Sequence, residues 1–572
     1  MIIRNLGIVL WLLSSLNAAD LSIEFKPKWQ TAIILGSESW HPTKRPLELS
    51  ISRIAFLVSE PVLVDTKGRG HSLRDWYGLV DIEGGKTTLN LTGLPAYKFK
   101  AIEFTIGLNS EINNSDPAQF PPNHALNPID NKLHWNWQDG YIFMALEGHW
   151  KSPNGIGGGF SYHLGNEPHR MRISLPAVID LSKSNAHLEL NFQLDQVLAD
   201  SVSQKNSSTH GRPGDSLALQ IKESTENAFF VDKISTLEPA IVPKYKARRT
   251  PNFIGTPFHL KISDKIPIPP LPLDYPLSNE RVELGRRLFH DAQLSRNNTI
   301  SCASCHKSEM AFAENRKLSV GIDQQLSRRN SMPLVNLAWK DSFFWDGRVH
   351  SLRNQALESI ENKMEMGASL PKIEQKLSNH PAYPSLFKAA YGSRTISAER
   401  IGVAIEQFLL TQISDHSRFD RALRNEIELT EIEKRGLELF FTEHDPRRNL
   451  YGADCFHCHG GPLFSDQSYH NNGLVLTSDQ GLAEITQRKS DIGKFSTPSL
   501  RNVAITAPYM HDGRIGTLRE AVEHYRSGIQ RSGSLDPNLA KHAAPGIPLS
   551  DSDVQALIAF LKTLTDLKYF NL

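Results

Sequence analysis

Between Leu21 and Leu194 the apolar residues alternate with polar ones in short runs: Leu47, Leu49 and Ile51; Leu89 and Leu91; Ile102, Phe104 and Ile106; Met171, Ile173 and Leu175; Leu188, Leu190, Phe192 and Leu194. A period of two sends every second side chain to one face of a strand. With Gly, Pro and Asn between the runs, the pattern predicts an antiparallel β-sandwich. The polar stretch from Val202 to Asp215 reads as a surface loop. From Pro239 to Pro276 prolines recur without a sustained period, as in an interdomain linker.

After Leu277 the period becomes helical. Val282, Leu284, Leu288 and Phe289 share one face, as do Ile401, Ile405, Phe408 and Leu409. Thr430-Glu-Ile-Glu433 and Ser550-Asp-Ser-Asp553 have the N-cap residues and acidic first turns that open helices. The second half is therefore expected to be mostly α. The layout is residues 1–19 as a leader, 20–238 as the sandwich, 239–274 as the linker and 275–572 as the helical part.

The leader is read from Arg4 followed by the apolar run Leu6–Leu13 and small residues up to Ala19. That is the build of a secretory signal peptide, and its apolar run is far below the ~20 residues that span a bilayer. Nothing further along the chain is long and apolar enough, so an exported protein without a membrane span is expected. The 572 residues carry 63 basic and 62 acidic side chains, a formal net charge of +1. This balance gives no electrostatic case for nucleic-acid binding.

All four cysteines fall in two copies of one pattern, Cys302-Ala-Ser-Cys305-His306 and Cys455-Phe-His-Cys458-His459. Cys-x-x-Cys-His is the c-type haem attachment motif: the thiols form thioethers with the haem vinyl groups and the adjacent His reaches the iron. Two covalent haems use every thiol, His306 and His459 are the expected proximal ligands, and two cytochrome c-like lobes follow. Attachment of this kind takes place outside the cytoplasm, so the expected location is the bacterial periplasm.

Leu284-Gly-Arg-Arg-Leu-Phe-His-Asp291, the first haem motif, Phe343-Phe-Trp-Asp-Gly-Arg348 and Thr497-Pro-Ser-Leu-Arg-Asn-Val-Ala504 together resemble the bacterial di-haem cytochrome c peroxidase/MauG family over about residues 275–567. The resemblance implies a first haem open to hydrogen peroxide, with Gln355 and Glu365 on its open side and Trp345 between the two haems. It also implies a calcium ion held by Asn330 and the backbone carbonyls of Thr506 and Pro508. Members that receive electrons from a donor start with a His over the first haem, and the matching Val320-Gly-Ile-Asp323 has none. Ordinary peroxidases place a Met opposite the second proximal His. Here Thr517 and Glu520 form a capping box, and the helix presents Tyr525 at that place, as MauG-like enzymes do. A phenolate ligand favours ferric and higher states, whereas Met raises the reduction potential.

The segment from His124 through His134-Trp135-Asn-Trp137-Gln-Asp-Gly-Tyr141 to Phe160-Ser-Tyr-His163-Leu-Gly165 resembles the MbnP family of periplasmic copper-binding proteins. In that family a separate MauG-like partner, MbnH, oxidises a Trp to kynurenine, which helps to bind copper. The implied copper ligands are His124, His134 and His163, because imidazole is a good copper donor, and the implied oxidised residues are Trp135 and Trp137.

The expected function is a peroxide-driven di-haem oxidoreductase. It reaches a high-valent state and extracts electrons from a tryptophan of its own or a neighbouring chain's N-terminal domain. The rival expectations are a cytochrome c peroxidase fed by a small periplasmic cytochrome or cupredoxin, and a non-enzymatic copper-binding or electron-transfer protein.

Overall fold

The structure, a computed structural model, describes residues 18–34, 38–136, 140–237 and 253–570. Trp137 and all but the last two residues of the expected leader lie outside that set. The N-terminal domain is built on strands β1 (Ala18–Trp29), β2 (Glu48–Asp65), β3 (Thr88–Pro95), β4 (Lys98–Ile106), β5 (His134–Asn136), β6 (Gly140–Lys151), β7 (Gly157–Gly165), β8 (Met171–Asp180), β9 (Asn185–Gln193), β10 (Ser208–Thr209) and β11 (Phe229–Leu237). One sheet runs β11-β9-β1, with β3 on the free edge of β1; the other runs β8-β4-β2-β6-β7-β10, with β5 on β6. Alternation decides which side chains point inward: β8 reads buried, exposed, buried along most of its length. Phe25 and Phe192 of the first sheet meet Phe56 of the second with ring centroids 5.4 and 6.1 Å away.

The sandwich departs from the antiparallel expectation at two places. β1 pairs with β9 in parallel, Leu21 opposite Ala186, and β7 pairs with β10 in parallel, Ser161 opposite Ser208. A parallel pair joins segments that a long crossover separates, and a period of two records no direction. The stretch expected to be a surface loop is also corrected. Ser208, Thr209 and His210 are at most 6% exposed, because β10 extends the sheet into the contact with the second half of the chain. Polar composition marks solvent or a polar interface equally well.

The second half is helical and has two lobes with a common framework. In the first, α1 (Asn279–Phe289) crosses α3 (Ala398–Leu410), and α2 (Leu352–Glu361) packs beside α3. In the second, α4 (Glu431–Phe441) crosses α6 (Asp551–Thr563), with α5 (Leu518–Ser527) packed on α6. Both crossings pivot on a glycine. A Cβ at Gly285 would collide with the Ala404 carbonyl, and one at Gly436 with the Ala556 carbonyl; Phe408 and Phe560, four residues further on, close each contact. The capping boxes at Thr430–Glu433, Thr517–Glu520 and Ser550–Asp553 all form.

Residues 253–274, the end of the expected linker, lie along the first lobe. Phe258, Leu260, Ile262 and Leu271 pack on its core, and the Trp339 indole N–H donates to the Pro267 carbonyl at 2.7 Å. The first lobe keeps its own core, whereas the sandwich core runs on without a break into Phe440, Phe456 and Phe560 of the second lobe. No helix among the described residues is long and apolar enough to cross a membrane.

Candidate functional site

The first attachment motif forms a single helical turn, Cys302–Cys305, opened by a Ser301–Ser304 capping box. The following His306 directs its Nδ1–H to the Phe312 carbonyl at 2.8 Å, which leaves Nε2 as the nitrogen with a free lone pair. Burial lowers its pKa, so the imidazole is neutral, as an iron ligand must be. Beside the motif lies a cavity of about 540 Å³ lined by Cys302, Cys305, His306, Gln355, Glu365 and Trp345 among others. Its exposed lining is mainly apolar, and His306 is the one histidine among the described lining residues.

Gln355 comes from the middle of α2 and donates to Ser359 Oγ at 3.2 Å. Glu365 lies just beyond the end of that helix, and its Oε1 accepts from Asn362 Nδ2 at 2.7 Å. Burial pushes the Glu365 pKa up, against the opposing hydrogen bonds of Ser359 and Asn362. The Val320–Asp323 segment borders the same group: Ile322 N–H donates to the Glu365 carbonyl at 2.8 Å. Trp345 is 8% exposed, with its indole N–H on the Asn330 carbonyl at 2.9 Å and its own carbonyl accepting from Ser496 of the second lobe at 2.8 Å. The backbone therefore hands directly from the wall of the first cavity to the other lobe. Asn330 Nδ2 donates to the carbonyls of Arg316 and Lys317 at 3.1 and 3.2 Å. Thr506 and Pro508 lie on the segment leading to Met510, with Thr506 Oγ1 donating to the Val503 carbonyl at 3.3 Å.

The second motif repeats the first. His459 donates through Nδ1 to the Phe464 carbonyl at 3.1 Å, and burial lowers its pKa to about 4. Tyr525, on α5, is held by Asn472, whose Nδ2 lies 3.4 Å from both the Tyr525 hydroxyl and Met510 Sδ. Burial drives the Tyr525 hydroxyl up to about 12, and the nearby Cys458 and Cys455 add to that. A cation at the hydroxyl would reverse the shift by favouring the phenolate.

The N-terminal domain lies directly against this second motif. A Cβ on Gly460 would stand 3.5 Å from the His134 carbonyl and 3.7 Å from that of Trp135. Trp135 is 5% exposed and its indole N–H has no hydrogen-bond partner. His134 packs edge-on to Tyr141 at 4.7 Å, and burial lowers its pKa to about 3. Of the histidines expected to hold copper, only His163 falls in a cluster of metal-binding type, with His210 and His457. His134 lines a neighbouring small cavity, and His124 stacks on Phe120 at 4.8 Å, its Nδ1 accepting from Leu126 N. The set His124, His134 and His163 is thus not assembled as one group in this fold. His210 and His457 escaped the sequence reading because one lies in the polar stretch taken for a loop and the other between the cysteines of the second motif.

Docking here is polar as well as apolar. Lys132 Nζ donates to Ser468 Oγ at 3.0 Å, His149 Nε2 to the Leu535 carbonyl at 2.7 Å, and Arg447 to the carbonyls of Ser208 and Lys205 at 2.7 and 2.8 Å.

The family model of di-haem cytochrome c peroxidase matches residues 279–428, and that of MbnP matches residues 18–211. Methylamine utilization protein MauG of Methylorubrum extorquens is 35% identical over 299 residues, spanning 52% of this chain and 81% of the relative. Cytochrome c551 peroxidase of Nitrosomonas europaea is 32% identical over 306 residues, spanning 52% of this chain and 84% of the relative. Among solved structures, a MauG-like protein associated with microbial copper homeostasis is 35% identical with a TM-score of 0.50, covering 55% of this chain and 97% of the other.

Proposed function

The chain belongs, through its C-terminal half, to the di-haem cytochrome c peroxidase/MauG family, and we propose that it uses hydrogen peroxide to oxidise Trp135 of its own N-terminal domain to a kynurenine-type residue. The observation that carries this reading is the seating of the Trp135 backbone on Gly460, the residue after His459, in a domain whose core is continuous with the second lobe. Trp135, 5% exposed, stands beside the second haem motif of its own chain.

The residues present fit two haems c: paired thiols, a neutral imidazole with Nε2 free in each lobe, and a large, mainly apolar cavity in the first. When bound, the haems supply the redox chemistry with peroxide. Glu365 is the group we assign to take the peroxide proton, since burial keeps its affinity for protons above that of a solvated carboxylate; Gln355 orients the same ligand by hydrogen bonding. Trp345, packed between the lobes, is the connecting aromatic. Tyr525 and His459 would together hold the iron of the second haem, and Asn330 with the Thr506 and Pro508 carbonyls would hold the calcium ion. Export to the periplasm by residues 1–19, and copper in the MbnP-like domain, belong to the same reading.

The second reading is a cytochrome c peroxidase that takes electrons from a small cytochrome or cupredoxin. The thioether of Met510 on the same Asn472 amide as Tyr525 favours it. One experiment divides the two. The diferric protein is treated with hydrogen peroxide without reductant, digested, and the peptide holding Trp135 sequenced by mass spectrometry. A Trp135 that has gained one oxygen and lost its indole C2 carbon as formate is expected, with two peroxide molecules reduced to water for each residue converted. An unmodified peptide, with rapid oxidation of an added ferrous cytochrome, would overturn the proposal in favour of the second reading.

A further inference from the structure

We propose that His163, His210 and His457 hold one copper ion at the junction of the two domains, with the third ligand supplied by the haem-attachment motif itself. One ring nitrogen from each lies within 4.8 Å of the others. His163 and His210 come from the sandwich, on β7 and just after β10, while His457 sits between Cys455 and Cys458. The side chains are 2, 7 and 1% exposed.

Each ring has a carboxylate beside one of its nitrogens. His163 Nε2 bonds Glu147 Oε1 at 2.8 Å, His210 Nδ1 abuts the Glu443 carboxylate, and His457 Nε2 is 3.4 Å from Asp454 Oδ1, with the Lys541 ammonium 3.2 Å from the same nitrogen. A carboxylate behind a ring fixes its proton on that side and turns the other nitrogen's lone pair toward an ion, as Glu147 does for His163. His163 Nδ1, His457 Nδ1 and both ring nitrogens of His210 have no hydrogen-bond partner although buried. Orphans on all three rings of one cluster are unusual in a folded protein, and one ion taking a nitrogen from each ring accounts for three of the four. A cavity of about 30 Å³, room for one or two water-sized groups, opens beside His163 and His457 toward His134 and Trp135.

An all-imidazole set excludes calcium and magnesium and binds copper most tightly among the divalent first-row ions. The preference for copper over zinc rests on the function proposed above; the site itself does not. Because the ligands come from both domains, the ion fastens the sandwich to the second lobe and stands two residues from His459.

The test uses the full-length diferric chain, never exposed to peroxide and stripped of other metals, titrated with cupric ion. One copper per two haem irons is expected, with electron paramagnetic resonance showing three imidazole nitrogens. His457→Gln should weaken copper by about a hundredfold and leave two nitrogens. His163→Gln, which leaves the attachment motif itself unaltered, should do the same, so a haem-attachment defect in the first variant leaves the test intact. Unchanged copper affinity in both variants, or zinc displacing copper at equal concentration, would overturn the proposal. The Trp135 peptide from the same samples is analysed after peroxide: oxygen gain without copper binding sinks this site alone, and copper binding without oxygen gain sinks the function alone.

Discussion

The two lobes use the same parts for different ends. Each has an attachment turn, a motif histidine anchored by a backbone carbonyl, and a helix crossing pivoted on glycine. In the first, the attachment turn borders a cavity of about 540 Å³ with a buried carboxylate and no second histidine among its described lining. In the second, Tyr525 is buried against Asn472 near Cys455 and Cys458, and the lobe shares its core with the sandwich. A motif of five residues thus fixes where a haem is tethered. Its reactivity is set by whatever the rest of the chain places opposite and behind it.

The largest expected effect separates the lobes by chemistry. Glu365→Gln should slow reaction with peroxide by roughly 10²–10⁴-fold while leaving the spectrum of the second haem unchanged, as stopped-flow absorbance would record. Glu365 acts as a base only once deprotonated, and burial raises its pKa above the ordinary 4.5. The wild-type rate should therefore climb as pH rises through an ionisation above that value, and the variant should lose that limb. A variant as fast as wild type would make the two pockets equivalent.

A narrower contrast comes from Tyr525→Met. The second haem's ferric spectrum should change and its reduction potential rise, within the roughly 0.8 V that axial ligands command, while the first haem keeps its spectrum. Redox titration followed at both haems checks this, and an unaltered second haem removes Tyr525 from the ligand set.

The smallest effect concerns the scaffold. Gly285→Val and Gly436→Val each force a side chain onto a backbone carbonyl and should cost about 1–3 kcal/mol. Only Gly436→Val should also loosen the sandwich, since only the second lobe shares its core. Hydrogen exchange in β6 and β7 would show this; equal protection in both variants would argue that the sandwich folds independently.

Much of this was legible along the chain. Cys302 to His306 and Cys455 to His459 announce covalent haem because that chemistry depends on spacing within five residues. Thr517 and Glu520 announce a helix start because a capping box closes within one turn. Alternation in β8 is likewise local.

What the sequence by itself determined are features that one stretch of backbone settles with its near neighbours: helix period, strand period, caps and the thioether motif. Only the tertiary structure decided that β1 runs parallel to β9, that the polar stretch around His210 is buried, and that His457 turns from its own motif to meet His163 and His210. Those contacts join residues up to 294 positions apart, from His163 to His457. They depend on how two domains dock, and docking is governed by the summed shape and polarity of whole faces, which no local pattern encodes.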